Sequence, residues 1–194
     1  MLRVFLVDDQ AGRIGLTLPA LEAAGCQVHV SLSPLQLSTQ VASIEPDAVI
    51  ISIDSPDRDT LEHICVMSSH CPRPVVMFTD DADPQTIRAA IQAGVVSYVV
   101  AGLDPLRLRP ILDVAISRFR AFQAMHDQLA QAQRELEEKK LVDQAKRSLI
   151  RQLGISEEQA YQHLRKLAMD CGTRLPDAAR KVIGLTRLPA GNTS

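Results

Sequence analysis

The sequence predicts an α/β front domain with a doubly wound, five-stranded parallel sheet, then a long helix and a small three-helix module. Two observations predict the sheet: five short runs are apolar throughout, and each alternates with a segment of helical spacing. Strands without polar alternation are typical of a parallel sheet covered on both faces. A third observation predicts the long helix, because residues 106–152 contain one proline, Pro110, and no glycine.

The first domain is built from elements whose ends are marked by turn residues. Gly25 and Gly94 follow the first and fourth helical segments, where a left-handed residue ends a helix. The carboxyl ends of parallel strands meet at one sheet edge, which is where ligands bind in such domains. The predicted strands are 2–7, 26–30, 48–53, 75–78 and 97–100, and the predicted helices are 16–24, 35–44, 60–69 and 84–93.

Charge divides the chain into an acidic front and a basic end. Residues 1–117 contain 7 Lys and Arg against 14 Asp and Glu, whereas residues 139–194 contain 11 against 5. This asymmetry predicts a polyanionic partner for the end of the chain. No run of about 18 apolar residues and no signal segment is present, so we expect a cytoplasmic protein with no membrane partner. The four cysteines show no Cys-x-x-Cys spacing and are expected to be buried, unreactive thiols.

Residues 1–118 resemble the receiver domain of response regulators. Asp8 and Asp9 follow the first strand, as does the acidic pair that holds a magnesium ion in that family. Pro56 matches the proline four residues after the phosphoacceptor, and Thr79 matches the switch hydroxyl at the end of the fourth strand. The resemblance therefore implies a receiver-like domain in which these side chains and Ser52 meet at one edge.

Two positions depart from the receiver pattern. Ser52 replaces the acceptor aspartate, and Ala101 stands where the family has a lysine. We therefore predict a pseudo-receiver without a phosphoacceptor, with Asp54 as a weaker alternative. We interpret Asp8 and Asp9 as a surviving structural feature rather than a metal site, with metal binding as the less favoured alternative, and we expect no cofactor.

The long helix carries a seven-residue apolar repeat. Phe122, Leu129 and Leu136 recur at this period, which is that of a coiled coil, and Phe119 lies on the companion line. We predict a coiled-coil linker over 119–138 and a homodimer. The alternative is a lone helix that packs both phenylalanines on the front domain. Leu129 and Leu136 favour the dimer, because in that alternative they would be exposed to solvent.

The C-terminal module begins within the long helix. Gly154 ends that helix, and Ser156 with Gln159 forms a capping box that starts the next one. That helix ends before Gly172, and a third runs over 175–183 with Pro176 in its first turn. We expect Tyr161, Leu164 and Met169 to lie in the small core, with stacking on a base as the alternative for Tyr161.

This module resembles the ANTAR family of transcription antitermination regulators. The resemblance covers residues 137–184 and leaves 185–194 as a tail. It rests on Ala145-Lys146, on Gly154-x-Ser156-Glu157-x-x-Ala160-Tyr161, on Leu164-Arg165, on Ala168-Met169, and on Leu175 with Ala178-Ala179. It implies binding to hairpins in a leader transcript, and the basic residues support this because phosphate contacts need cations. The candidate RNA contacts are Lys139, Lys140, Lys146, Arg147, Arg151, Arg165, Lys166 and Arg174.

The favoured function is an RNA-binding antiterminator controlled by protein contact, since the phosphoryl acceptor is missing. A small-molecule-sensing regulatory protein is the partner that the resemblance implies. A DNA-binding response regulator and a dimeric adaptor that binds only protein are the alternatives. An enzyme is disfavoured, because the five histidines show no metal-binding spacing and no nucleophile motif is present.

Overall fold

The computed structural model describes residues 1–100 and 107–186, with side chains described up to residue 184. It divides the chain into two compact units, Met1–Ala124 and Met125–Ser194, called here the front unit and the C-terminal unit.

The front unit contains a five-stranded sheet in which every paired strand is parallel. The strand order is β2-β1-β3-β4-β5, so the third strand lies at the centre, with the first and fourth strands beside it. This order brings Asp8, the last residue of β1, opposite Ser52, the last residue of β3. The strands are β1 (Leu2–Asp8), β2 (Cys26–Ser31), β3 (Ala48–Ser52), β4 (Val75–Thr79) and β5 (Val95–Val100).

Helices cover both faces of this sheet. They are α1 (Ala11–Ala23), α2 (Leu37–Ile44), α3 (Arg58–His70), α4 (Pro84–Ala93) and the start of α5 (Leu108–Leu153). Val49 and Ile51 of β3 pack with residues of α2, α3 and α4, whereas Ile50 packs with residues of α1 and α5. Successive residues of one strand are therefore buried on opposite faces, and the predicted doubly wound sheet is confirmed.

The boundaries of α4 agree with the sequence prediction, whereas α1 begins five residues earlier than predicted. Asp83 caps α4 by accepting hydrogen bonds from the backbone N–H groups of Gln85 and Thr86. Gly94 ends this helix with a φ of 109°, and an added Cβ would clash with the Ser68 side chain. Local capping residues thus fix α4 at both ends.

The C-terminal unit packs the end of α5 against α6 (Glu157–Asp170) and α7 (Leu175–Thr186). Ala145, Leu164 and Ala179, one from each helix, form its fully buried centre. The predicted capping box is confirmed, because Ser156 and Gln159 exchange side-chain and backbone hydrogen bonds at the start of α6. The helix α7 extends three residues beyond its predicted end.

The expected positions of several side chains were wrong. Tyr161 and Met169 are exposed, at 44% and 73%, because both lie on the outer face of α6 while Leu164 faces the core. Of the cysteines, Cys26 is buried, but Cys65 and Cys171 are exposed. In the described part of the chain, no helix is long and apolar enough to cross a membrane.

Candidate functional site

The carboxyl edge of the central strands holds a set of buried polar side chains. Asp8 at the end of β1 is fully buried, and Ser52 at the end of β3 is 1% exposed. Thr79 ends β4 and is also buried, while Asp9 is exposed at the rim. The sheet order therefore places all four predicted receiver residues at the same edge. Ala101 lies outside the described residues.

One guanidinium group, that of Arg13 in α1, lies at the centre of this edge. Its Nε donates to both carboxylate oxygens of Asp8 at 3.0 Å. Its Nη2 donates to Asp9 at 2.8 Å and to the Ser52 carbonyl at 3.2 Å. Its Nη1 donates to Asp54 at 2.6 Å. Three carboxylates and one backbone carbonyl thus share a single positive group, which matches the fork of donors that arginine presents.

The charge of Arg13 is strongly held. Burial alone would lower the pKa of its guanidinium, but hydrogen bonds and charge interactions with Asp8 and Asp54 outweigh burial and raise the pKa above its ordinary value. Sequence reasoning missed Arg13. The available signal was its position four residues after Asp9, which allows an ion pair within one helical turn.

Asp54 connects this pocket to Thr79. Its carboxylate accepts from Arg13 at 2.6 Å and from the Gln10 amide at 2.8 Å. Its backbone carbonyl accepts the Thr79 hydroxyl at 2.7 Å. The Thr79 oxygen in turn accepts the N–H of Asp81 at 3.1 Å, so the Thr79 hydroxyl both donates and accepts a hydrogen bond.

Magnesium, which the receiver resemblance implies for this pocket, does not fit the arrangement. Magnesium binds oxygen ligands at about 2.0–2.1 Å in near-octahedral geometry. Here the oxygens of Asp8, Asp9 and Ser52 are occupied by donors of a cation. Over the described residues, no group of three or more His, Cys, Asp or Glu is arranged to hold a metal ion.

In the C-terminal unit, Lys146 links two helices. Its ammonium lies 2.8 Å from Asp143 on its own helix and 2.8 Å from Glu157 at the start of α6. The hydrogen bond to Asp143, followed by the one to Glu157, raises the pKa of Lys146. The hydrogen bond between Lys146 and Asp143 in turn lowers the pKa of the Asp143 carboxylate. A phosphate contact by Lys146 would therefore compete with two carboxylates.

Two more predicted RNA-contacting residues have partners within the unit. Arg174 donates to both carboxylate oxygens of Glu138 at 2.8 Å, although its side chain is 71% exposed. Arg147 donates to the Asp143 carbonyl at 3.2 Å. Lys139 lies near enough to Asp143 to contribute to the lowered pKa of that carboxylate.

The remaining predicted cations point away from the core. Over residues 107–184 of the described chain, Lys140, Arg151, Arg165 and Lys166 are exposed and form no hydrogen bond or ion pair. Arg165 and Lys166 lie on the outer side of α6, opposite buried Leu164 and Ala168. Tyr161 and Met169 precede and follow Arg165 by one helical turn each, so α6 presents cationic and large apolar side chains together.

The predicted dimer contacts on α5 are largely open to solvent within one chain. Phe122, Leu129 and Leu136 are 62%, 58% and 53% exposed, while Phe119 is partly buried. Phe119 and Phe122 also line a cavity of about 470 Å³ in the front unit, beside Ile91, Val95 and Val96. The two phenylalanines thus belong to the front unit and line one of its cavities, whereas the two leucines belong to the C-terminal unit.

The sheet order, the helices on both faces and the polar edge define the front unit as a receiver-like fold. The receiver domain protein (CheY-like) from Methanospirillum hungatei has a similar fold, with a TM-score of 0.56 and 18% identity, over 62% of this chain and 98% of that one. This similarity shows that the front unit has the receiver fold.

The C-terminal unit resembles a known domain. The model of the ANTAR domain matches residues 130–183. The transcriptional regulatory protein PdtaR of Mycobacterium tuberculosis is 28% identical over 183 residues, which cover 93% of this chain and 89% of the relative. The nitrate regulatory protein of Klebsiella oxytoca is 38% identical over 84 residues, 43% of this chain and 21% of that protein. The chain thus joins a front unit with a receiver fold to a segment that matches the ANTAR domain, and the relatives that it resembles are regulatory proteins.

Proposed function

We propose that this protein binds hairpins of a leader transcript through its C-terminal unit, and that protein contact controls it in place of phosphorylation. The ANTAR match over residues 130–183 carries the proposal. The exposed cations of α6 and of the end of α5 support it, because unpaired positive side chains supply the salt-dependent attraction to phosphates. A homodimer, a small-molecule-sensing protein partner and a cytoplasmic location belong to the same proposal.

Ion pairing separates the candidate RNA contacts into two groups. Arg151, Arg165 and Lys166 need release no carboxylate to reach a phosphate, since they have no such partner within the described residues. Lys146 must leave Asp143 and Glu157. Exposed ion pairs contribute little stability, so a pair such as Arg174 with Glu138 exchanges readily for a phosphate. The unpaired group is therefore expected to make the first contacts.

The exposed ring of Tyr161 adds a second means of recognition. Sequence-specific proteins commonly stack aromatic rings on unpaired bases in RNA loops. Tyr161 lies one turn before Arg165 on the same exposed face of α6. A phosphate contact by Arg165 would bring this ring close to a loop base, which favours single-stranded loops in RNA over regular duplex DNA.

The Arg165→Ala, Lys166→Ala variant is expected to bind a two-hairpin leader RNA about tenfold more weakly, with a salt slope flatter by about one unit per lost phosphate contact. Fluorescence anisotropy over a range of salt concentrations measures both quantities. The Arg58→Ala, Arg88→Ala variant is the matched control, since it removes the same charge from exposed positions of the front unit. Lys146→Ala, Arg147→Ala is compared with Glu157→Gln, which breaks the bridge to α6 but keeps the lysine.

Different outcomes separate the alternative functions. Equal affinity for duplex DNA of the same sequence would instead indicate a DNA-binding regulator. An absence of salt-dependent binding to either nucleic acid would leave a protein-only adaptor. A loss of affinity confined to the Lys146 and Arg147 variant, with an unchanged melting temperature, would move the interface from α6 to the end of α5.

Control without phosphorylation predicts that acetyl phosphate with magnesium adds no labile phosphate to the chain. Ser52 has no carboxylate to form an acyl phosphate, and the carboxylate of Asp54 is bound by Arg13. Intact mass spectrometry tests this, alongside a receiver that has the acceptor aspartate. A phosphate that is lost in Asp54→Asn but kept in Ser52→Ala would show that Asp54 is the acceptor and that phosphoryl input is retained.

A further inference from the structure

The acidic edge of the front unit is already neutralised from within the chain. Asp8 is fully buried, and a buried carboxylate without a counter-charge is costly. In a metal-binding receiver the counter-charge is a soluble ion. In this chain the Arg13 side chain, itself 23% exposed, approaches from the first turn of α1 and contacts every carboxylate at that edge named above, those of Asp8, Asp9 and Asp54.

The geometry points to Arg13 as an internal cation that takes the place of the divalent metal. The carboxylates at this edge of the receiver-like unit are then neutralised without magnesium. A guanidinium cannot lose its proton in proteins, and its planar donors bind several oxygens at once. It is also tethered to the chain, so binding it requires no ion from solution. A divalent ion would have to displace it from Asp8 and from the Ser52 carbonyl.

The Arg13 guanidinium is also the first member of a series of hydrogen bonds that ends at β5. It holds the Asp54 carboxylate and the Ser52 carbonyl, and the Asp54 carbonyl holds the Thr79 hydroxyl. The Thr79 oxygen accepts the Asp81 N–H, and the Asp81 carbonyl accepts the hydroxyl of Tyr98 at 3.0 Å. A continuous series of hydrogen bonds between protein groups therefore extends from the Arg13 guanidinium to the Tyr98 hydroxyl on β5.

Manganese binding by the full chain tests this inference, because Mn²⁺ takes the same oxygen ligands as magnesium and its free ion gives an electron paramagnetic resonance signal. The wild type is expected to leave the free-ion signal unchanged, whereas Arg13→Gln is expected to bind Mn²⁺ at least about tenfold more tightly, since the competing charge is gone. Arg58→Gln, which removes an exposed arginine of the same unit, is expected to behave as the wild type.

A second substitution locates the ion. Asp8→Asn in the Arg13→Gln background is expected to abolish the gained binding. Wild type that binds as tightly as Arg13→Gln, or a double variant that retains the gain, would overturn the inference. If Arg13→Gln does not fold in the absence of metal, recovery of its helical circular dichroism on addition of Mn²⁺ supports the inference, and failure of Mn²⁺ to restore it overturns the inference.

Discussion

An Arg13→Met substitution is expected to destabilise the front unit by about 3 kcal/mol, because breaking a buried ion pair leaves its partner charge without compensation. Asp8 is that partner: it is fully buried, and its other hydrogen bond in the pocket comes from the N–H of Gln10 at 2.9 Å. We place the effect at the low end of the range for buried pairs, because the Arg13 side chain is 23% exposed.

The two tyrosines of the chain allow this loss to be measured by unit. Tyr98 lies on β5 of the front unit, and Tyr161 lies on α6 of the C-terminal unit. With both replaced by fluorotyrosine, urea unfolding followed by fluorine NMR reports the two units separately. The Tyr98 transition is expected to move to lower urea in Arg13→Met, while that of Tyr161 stays in place.

A double variant separates lost charge from lost packing. In Asp8→Asn, Arg13→Met the buried carboxylate is gone, so the front unit is expected to recover a large part of the lost stability. Arg13→Met with wild-type stability would show that solvent already compensates the Asp8 carboxylate. A double variant less stable than Arg13→Met alone would show that the pair contributes through packing instead of charge.

The fold was predictable because its signals are local. Each strand is a short apolar run, and α4 begins at a proline after a capping aspartate and ends at Gly94, so both boundaries can be read from neighbouring residues. The start of α1 was not predictable in the same way. Its first turns contain Gly12 and Gly15, which disfavour a helix, and the contacts that hold it run from Arg13 to residues distant in sequence.

In the candidate sites too, features set by local sequence were predictable, whereas features set by residues distant in sequence were not. Asp8, Asp9, Ser52 and Thr79 could be assigned to one edge because parallel strands align their carboxyl ends. The role of Arg13 depends on Asp54, which is 41 residues away, and no periodicity encodes that pairing. The helix α6 has more large apolar side chains than the core of the C-terminal unit can bury. A three-helix unit this small buries Leu164 but leaves Tyr161 and Met169 outside.

The Leu129→Asp, Leu136→Asp variant is expected to convert a homodimer into a monomer. Both leucines are more than half exposed in the single chain and recur at the coiled-coil period with Phe122. Burying a leucine contributes roughly 1.5–3 kcal/mol, and each substitution occurs twice in a dimer, so the combined loss is several kcal/mol before the added charges repel. Multi-angle light scattering of the wild type and the variant measures the change in mass.

Ala124→Asp, Gln128→Asp is the matched control, because it adds the same two charges at exposed positions of α5 that lie off the apolar repeat. It is expected to remain a dimer. A wild type that is monomeric at high micromolar concentration would contradict the dimer, and so would a control that dissociates as fully as the leucine variant. In the monomeric case Leu129 and Leu136 remain exposed at 58% and 53%, and their replacement by aspartate would leave the mass of the protein in solution unchanged apart from the substitutions.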